Sequence, residues 1–210
     1  RSFLLGIGVA AAAAGAYYRA NETVRVACVG YSDRFRGSLL PCFLHHNKEL
    51  NFDMVAVADL WRKRLKENAV PGIEAKIGHK IASYASDVEL YEKAKDVDAV
   101  IISTADFQHA QHAEHAVVAG KDAYCEKPLA FSVEEAQKII AAQKKYDRVF
   151  QVGSMQRSWA KLSAFWVACM IVRNGGIGEV KYVDANFGIG GKKLGGPSHP
   201  MRFFDKPENA

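Results

Sequence analysis

The feature that most restricts what this chain can fold into is a regular exchange of short apolar runs with helical stretches between residues 24 and 152. Val24-Arg25-Val26-Ala27-Cys28-Val29-Gly30 is rich in β-branched residues and ends in glycine, and Phe52 to Ala58 is a second apolar run ending at Asp59. Ala82 to Tyr84, Asp98 to Thr104, Ala123-Tyr124-Cys125 and Val149 to Val152 are the remaining strand candidates. The intervening segments read as helices: Gly37 through Leu44, Trp61 to Asn68, Val88 to Lys95, His109 to Ala119 and Val133 to Lys145. Gly120 follows the fourth of these, where a left-handed C-cap suits glycine. Strands that are apolar without alternation are covered on both faces, and helices of this length between them make βαβ units. The chain is therefore predicted to be α/β, with a doubly wound parallel sheet over residues 24–150 and the start of a second domain over 151–210.

Composition narrows the class further. Of 210 residues, 49% are hydrophobic and 24% charged, which excludes a disordered tail, a collagen and a polytopic membrane protein. The net charge of +5 raises the question of nucleic acid, but basic residues alternate with acids, as in Lys48-Glu49, Lys66-Glu67 and Glu92-Lys93. Such charges are read as a solvated surface, and no nucleic-acid partner is expected. The four cysteines have no C-x-x-C spacing and are read as free thiols, buried by default. Residues 1–18, RSFLLGIGVAAAAAGAYY, are weakly apolar and short for a membrane span. A positive start, an apolar middle and Ala14-Gly15-Ala16 predict an export signal or anchor within residues 1–20, and Arg1-Ser2-Phe3-Leu4 looks like the second half of a twin-arginine signal. The expected location is the bacterial periplasm or beyond, with the membrane touched only through an uncleaved signal.

In a doubly wound sheet, ligands bind beyond the carboxyl ends of the strands. Gly30 to Gly37 keeps only the outer glycines of a G-x-G-x-x-G turn, and the spacing is two residues longer. Gly30 and Gly37 are expected to supply the turn and the close helix packing, with Ser32 or Arg34 touching phosphate; a merely structural turn is the alternative. Asp59 lies 59 − 30 = 29 residues after the first glycine and ends the second strand. A carboxylate there accepts from both ribose hydroxyls and repels a 2′-phosphate, which favours NAD, although Arg62, Lys63 and Arg64 keep NADP open and a helix N-cap is an equal reading. His109, His112 and His115 follow at steps of roughly 300° around a helix, so the first and third diverge by about 120° and no metal is expected. His112 and His115 are read as surface or packing residues. Trp159, Phe165, Trp166 and Met170 read as one stripe of a helix over 160–173, packed in a core or interface. A strand is expected over Val180 to Phe187, and a loop, lid or disordered end over Gly188 to Pro200.

Two stretches then carry a family resemblance. Thr104-Ala105-Asp106-Phe107-Gln108-His109, followed by Ala119 to Leu129 with Glu126-Lys127-Pro128 inside it, closely resembles the Gfo/Idh/MocA oxidoreductases, whose hallmarks are T-P-x-x-x-H and E-K-P. Gln151-Val152-Gly153 with Gln156-Arg157 resembles the start of their second domain, and the likeness runs from Val24 to Gly188. The N-terminal segment agrees with a secreted, twin-arginine branch. The resemblance implies a Rossmann-type domain that binds NAD or NADP, then an α+β open-sheet domain that walls a carbohydrate-like substrate and pairs subunits into a homo-oligomer. It implies that Lys127 is catalytic, near the nicotinamide and the substrate hydroxyl; an ammonium there polarises oxygen or exchanges a proton. Glu126 is implied near the nicotinamide ribose, Thr104 and His109 along the cofactor cleft, Pro128 in a turn that is often cis, and Gln156 and Arg157 on the substrate side. The implied reaction moves a hydride between nicotinamide and a secondary alcohol of a sugar or polyol. The alternatives are an NAD-dependent glycoside hydrolase working by transient oxidation and elimination, and a non-catalytic dinucleotide-binding protein. Ala105 in place of proline, Phe107-Gln108 and the enlarged glycine loop depart from the pattern. The family's acid/base histidine usually lies further along the second domain, for which about 60 residues here stand against roughly 100 or more for a packed unit, so that domain is expected to be truncated.

Overall fold

The computed structural model describes residues 23–155 and 164–182. The expected export segment, Gln156, Arg157, Trp159 and residues 183–187 of the expected strand lie outside the described residues, and residues 180–182 are not in a strand.

Six strands form one parallel sheet: β1 (Val24–Val29), β2 (Phe52–Ala58), β3 (Ala82–Tyr84), β4 (Ala99–Ile102), β5 (Asp122–Glu126) and β6 (Phe150–Gly153). Their order is β3-β2-β1-β4-β5-β6, the doubly wound arrangement of a Rossmann-type fold. β1 is central, with Val29 level with Ala58 on one side and Ile102 on the other.

Helices cover both faces because strand side chains alternate. Val24, Val26 and Cys28 pack on one face with Leu39, Leu40 and Phe43 of α1, whose turns are Phe35–Leu39 and Leu40–His46. The same core takes Leu65, Ala69 and Ile73 of α2, built from Arg62–Arg64, Leu65–Ala69 and Val70–Ile77. Ala27 and Val29 face the other side, toward Leu90 and Tyr91 of α3 (Asp87–Lys93), Ala110, Ala113 and Ala116 of α4 (His109–Val118), and Ile139 of α5 (Val133–Tyr146).

α1 and α2 share a device that the sequence leaves visible only as a conflict. Each carries a proline where a helix interior should exclude one, at Pro41 and Pro71. Just before each, the helix widens into a π-turn: the Leu40 N–H bonds the Phe35 carbonyl and the Val70 N–H bonds the Leu65 carbonyl, each five residues back. The wide turn gives the ring room at the preceding carbonyls, so both helices run on past the expected stops. Caps set α3 and α5, since Ser86 and Ser132 each accept the N–H three residues on.

Cys28 and Cys125 are free thiols buried in strands, as expected, whereas Cys42 is half-buried and Cys169 exposed. Burial pushes the Cys28 and Cys125 thiols up, which keeps them protonated and inert. α6 (Ala164–Arg173) leaves Trp166, Val167 and Ile171 considerably exposed. Among the described residues, no helix is long and apolar enough to cross a membrane.

Candidate functional site

A cleft of about 370 Å³ opens at the carboxyl ends of β1, β2 and β4, lined by Gly30, Ser32, Asp59, Arg64, Thr104 and His112 among others. It lies where the chain switches from one face of the sheet to the other, the place where open α/β sheets bind ligands.

Gly30 ends β1 with φ +87°, and its N–H bonds the Ala58 carbonyl at 2.8 Å. A Cβ there would sit 2.6 Å from Thr104 Cγ2 and 2.9 Å from the Ser103 carbonyl carbon and oxygen, so glycine lets the ends of β1 and β4 touch. Ser32 then starts the helix. Its hydroxyl oxygen accepts from the Phe35 N–H at 3.1 Å and pairs with the Ser103 hydroxyl at 2.5 Å, while its carbonyl accepts from the Arg36 N–H at 3.0 Å. The positions that a G-x-G-x-x-G turn fills are thus Gly30, Ser32 and Phe35. Phe35 is fully buried, accommodated by the widened first turns of α1.

This corrects the reading of Gly37. It stands further along α1, exposed, and an added Cβ would meet nothing within 4 Å, so it supplies neither the turn nor close packing. Arg34 is also reassigned. Its Nε donates to Glu126 Oε1 at 2.9 Å and its Nη1 to Ser38 Oγ at 3.2 Å, with Nη2 against the Met155 sulfur. The guanidinium is committed to a carboxylate that is only 3% exposed, not to a phosphate. Glu126 also accepts from the Lys127 N–H at 3.2 Å, which ties the strand end to α1.

The strength of this tie can be measured. Breaking a buried ion pair costs about 3–5 kcal/mol when one charge is stranded, but Arg34 is 32% exposed and water reaches the pair, so Arg34→Met is expected to cost about 1–2 kcal/mol. Adding Glu126→Gln should recover at least half of the loss in urea unfolding. A double mutant no more stable than Arg34→Met would remove the pair as the explanation.

His109 does not line the cleft. It is 1% exposed, and its Nδ1 donates to the Pro128 carbonyl at 2.7 Å, pinning the turn after Lys127. The Lys127–Pro128 bond is cis. Lys127 itself is exposed just past the carboxyl end of β5, between these two anchors. Thr104 lies in the cleft wall, and its hydroxyl is buried with no hydrogen-bond partner among the described residues.

Asp59 fastens the loops that follow β1 and β2: Oδ2 accepts from the Tyr31 N–H at 2.9 Å and Oδ1 from the Trp61 N–H at 2.8 Å. The N-cap of α2 is Trp61, not Asp59. A carboxylate offers about four acceptor positions, so two remain for a ligand. Of the three basic residues that follow, Arg62 and Lys63 are exposed, and only Arg64 lines the cleft, donating to the Tyr31 carbonyl over the Trp61 ring.

One cluster escaped the sequence reading. Asp87, the first residue of α3, meets His112 and His115 of α4; both Nδ1 atoms lie 2.8 Å from Asp87 Oδ2. The His115 contact is a hydrogen bond, whereas the His112 contact is close but off the line one needs, so neither ring nitrogen of the buried His112 makes a hydrogen bond among the described residues. Asp87 and His112 are buried and line the cleft, so His112 is not a surface residue. Burial works to raise the Asp87 carboxyl, but the two imidazoles beside it outweigh that and bring it down to about 2. The visible signal was the i,i+3 spacing of His112 and His115, about 60° apart on one helix face; their third partner comes from another helix, at no motif spacing.

Comparison with known proteins matches residues 24–154 to the family model described as "Oxidoreductase family, NAD-binding Rossmann fold", GFO_IDH_MocA. The inositol 2-dehydrogenase of Klebsiella pneumoniae strain 342 is 35% identical over 105 residues, 49% of this chain and 29% of that enzyme. Inositol 2-dehydrogenase 3 of Saccharopolyspora erythraea is 44% identical over 63 residues, 30% of this chain and 19% of that enzyme. The crystal structure of myo-inositol 2-dehydrogenase from Lactobacillus plantarum superposes with TM-score 0.59 at 25% identity, covering 76% of this chain and 43% of that one. The WlbA dehydrogenase of Bordetella pertussis, solved with NADH and UDP-GlcNAcA, shares the fold with TM-score 0.62 at 20% identity, over 75% of this chain and 44% of its own. The aligned stretches span less than a third of these curated relatives and less than half of these solved chains.

Proposed function

We propose a function from one premise: this chain belongs to the Gfo/Idh/MocA oxidoreductase family. In this reading the cleft binds NAD, and the chain forms the cofactor half of a dehydrogenase acting on a secondary alcohol of a sugar or cyclic polyol. The inositol dehydrogenases among the relatives support the substrate class. The observation that carries the cofactor reading is Asp59, held by two backbone N–H groups at the cleft floor with acceptor positions to spare.

The remaining residues fit the same ligand. The N-terminal turn of α1 opens on the cleft through Ser32, and its N–H groups and dipole suit a pyrophosphate. The buried Thr104 hydroxyl, without a hydrogen-bond partner among the described residues, adds a polar contact to the cleft wall. When bound, the nicotinamide ring supplies the site that accepts or donates hydride. Lys127, just beyond β5, directs the substrate oxygen with its ammonium.

Cofactor choice follows from charge. A 2′-phosphate would lie beside the Asp59 carboxylate with only Arg64 of the nearby cations in the lining. NAD is expected to bind at least about tenfold more tightly than NADP, a difference of about 1.4 kcal/mol. Asp59→Ala should shrink that ratio to near one while weakening NAD. The ratio is the informative quantity, because lost loop anchoring affects both ligands alike. Fluorescence titration with the two reduced dinucleotides measures it. No saturable binding of either would overturn the cofactor reading, and an unchanged ratio would remove Asp59 as its selector.

A further inference from the structure

We propose that Asp87, His112 and His115 form a binding site for one divalent transition-metal ion of the zinc class. The three donor atoms come from the start of α3 and from successive turns of α4, and they lie within 4.8 Å of one another. In a tetrahedron of 2.0–2.1 Å bonds, donors stand roughly 3.3 Å apart, so an ion would close the widest pair by about 1.5 Å at most, within reach of imidazole rotation.

His112 makes the strongest point. It is 6% exposed, lines the cleft, and neither ring nitrogen makes a hydrogen bond within the described residues. A buried polar atom left in this way is costly, and a bound ion is one of the few ways a protein offsets that cost. Its Nδ1 is close to Asp87 Oδ2 yet off the hydrogen-bond line. That is the relation two ligands have when their lone pairs converge on a third atom rather than on each other. A helix-dipole role accounts for an aspartate in the first turn of α3, but not for two imidazoles gathered on one of its oxygens.

The donor set selects the ion class. Two imidazoles and one carboxylate suit Zn²⁺, Co²⁺ or Ni²⁺ rather than Mg²⁺ or Ca²⁺, which prefer oxygen throughout. Three protein ligands leave a fourth position for water, and His115, whose side chain is 35% exposed, marks the side from which an ion enters. An ion here would staple α3 to α4 beneath the cleft. His109 takes no part, because its ring is turned to Pro128.

The test needs no dinucleotide and so stands or falls apart from the cofactor reading. The chain, stripped with a chelator, is titrated calorimetrically with Zn²⁺ and spectroscopically with Co²⁺. One ion per chain is expected, with a dissociation constant in the micromolar range or below and the visible absorption of four-coordinate cobalt. His115→Ala should weaken binding at least tenfold; it removes a half-exposed side chain, so the fold is retained, as far-ultraviolet circular dichroism will check. His112→Gln should do the same. A second close imidazole pair among the described residues, His45 and His46 with Glu49 nearby, is the internal control, and His45→Ala/His46→Ala should leave the tight site unchanged. Absence of saturable binding below about 100 μM, or binding that survives His115→Ala, or loss with the His45/His46 double variant, each overturns the proposal.

Discussion

Replacing Gly30 with valine is expected to cost roughly 3 kcal/mol or more and to abolish dinucleotide binding. Two independent penalties combine. The backbone sits at φ +87°, where a residue with a Cβ pays about 1–2 kcal/mol and a β-branched residue more. The Cβ would also overlap Thr104 Cγ2 at 2.6 Å and the Ser103 carbonyl at 2.9 Å. Thr104 can rotate, but the Ser103 backbone belongs to the end of the sheet and moves only if β1 and β4 separate; overpacking of that kind costs about 1–3 kcal/mol. Gly37→Ala is the contrasting substitution. Gly37 is exposed, helical and surrounded by open space, so alanine should be neutral or stabilise by about 0.5–1 kcal/mol. Urea unfolding followed by circular dichroism gives both values. A Gly30→Val protein within 1 kcal/mol of the parent, or a Gly37→Ala protein that loses as much as Gly30→Val, would show that the first glycine does not hold the strand ends together.

That contrast marks the limit of what the sequence made legible. All six strands and the five helices expected between them were readable from apolar runs and the glycines that end some of them, because a sheet covered on both faces writes itself as continuous hydrophobic segments. Gly120, at φ +74° after α4, shows local stop chemistry agreeing with the packed structure. The site was less legible. Gly30 and Asp59 were readable because strand ends are fixed by the fold. Gly37 misled because the glycine count ran past a serine cap: Ser32 starts α1, and Phe35 takes the position of the missing glycine through a π-turn that no local pattern announces.

Arg34, His109 and the Asp87 cluster failed for a second reason. Their partners, Glu126, Pro128 and the α4 imidazoles, lie 92, 19 and 25 or more residues away along the chain. Side-chain pairing across such separations is set by which helix rests over which strand. The glycine-loop reading of Arg34 and the resemblance's reading of His109 gave neither a long-range partner, and the structure gives each one. Both turn out to support the same short segment: Arg34 through Glu126 before Lys127, and His109 through the Pro128 carbonyl after it.

That double support is the ground for the largest kinetic expectation. Lys127 is one exposed residue between a half-buried ion pair and the contact of a buried imidazole, so its Cα is held on both sides while its side chain faces solvent. If this ammonium directs the substrate oxygen and exchanges its proton, Lys127→Ala should lower turnover of a cyclic polyol by about 10²–10⁴, the range for a positioned general acid or base. The NADH dissociation constant should change less than about threefold, since the proposed reading seats the adenosine half at Gly30, Asp59 and Thr104, which line the cleft. Lys127→Arg separates two roles. A guanidinium keeps the charge but holds its proton above pH 12, so it can steer oxygen and cannot exchange a proton at neutral pH. Restoration of most of the rate by arginine would reduce Lys127 to an electrostatic guide. Loss with both alanine and arginine, at unchanged NADH affinity and unchanged unfolding midpoint, is the result expected of a proton-exchanging lysine, and full activity in Lys127→Ala would remove it from the mechanism.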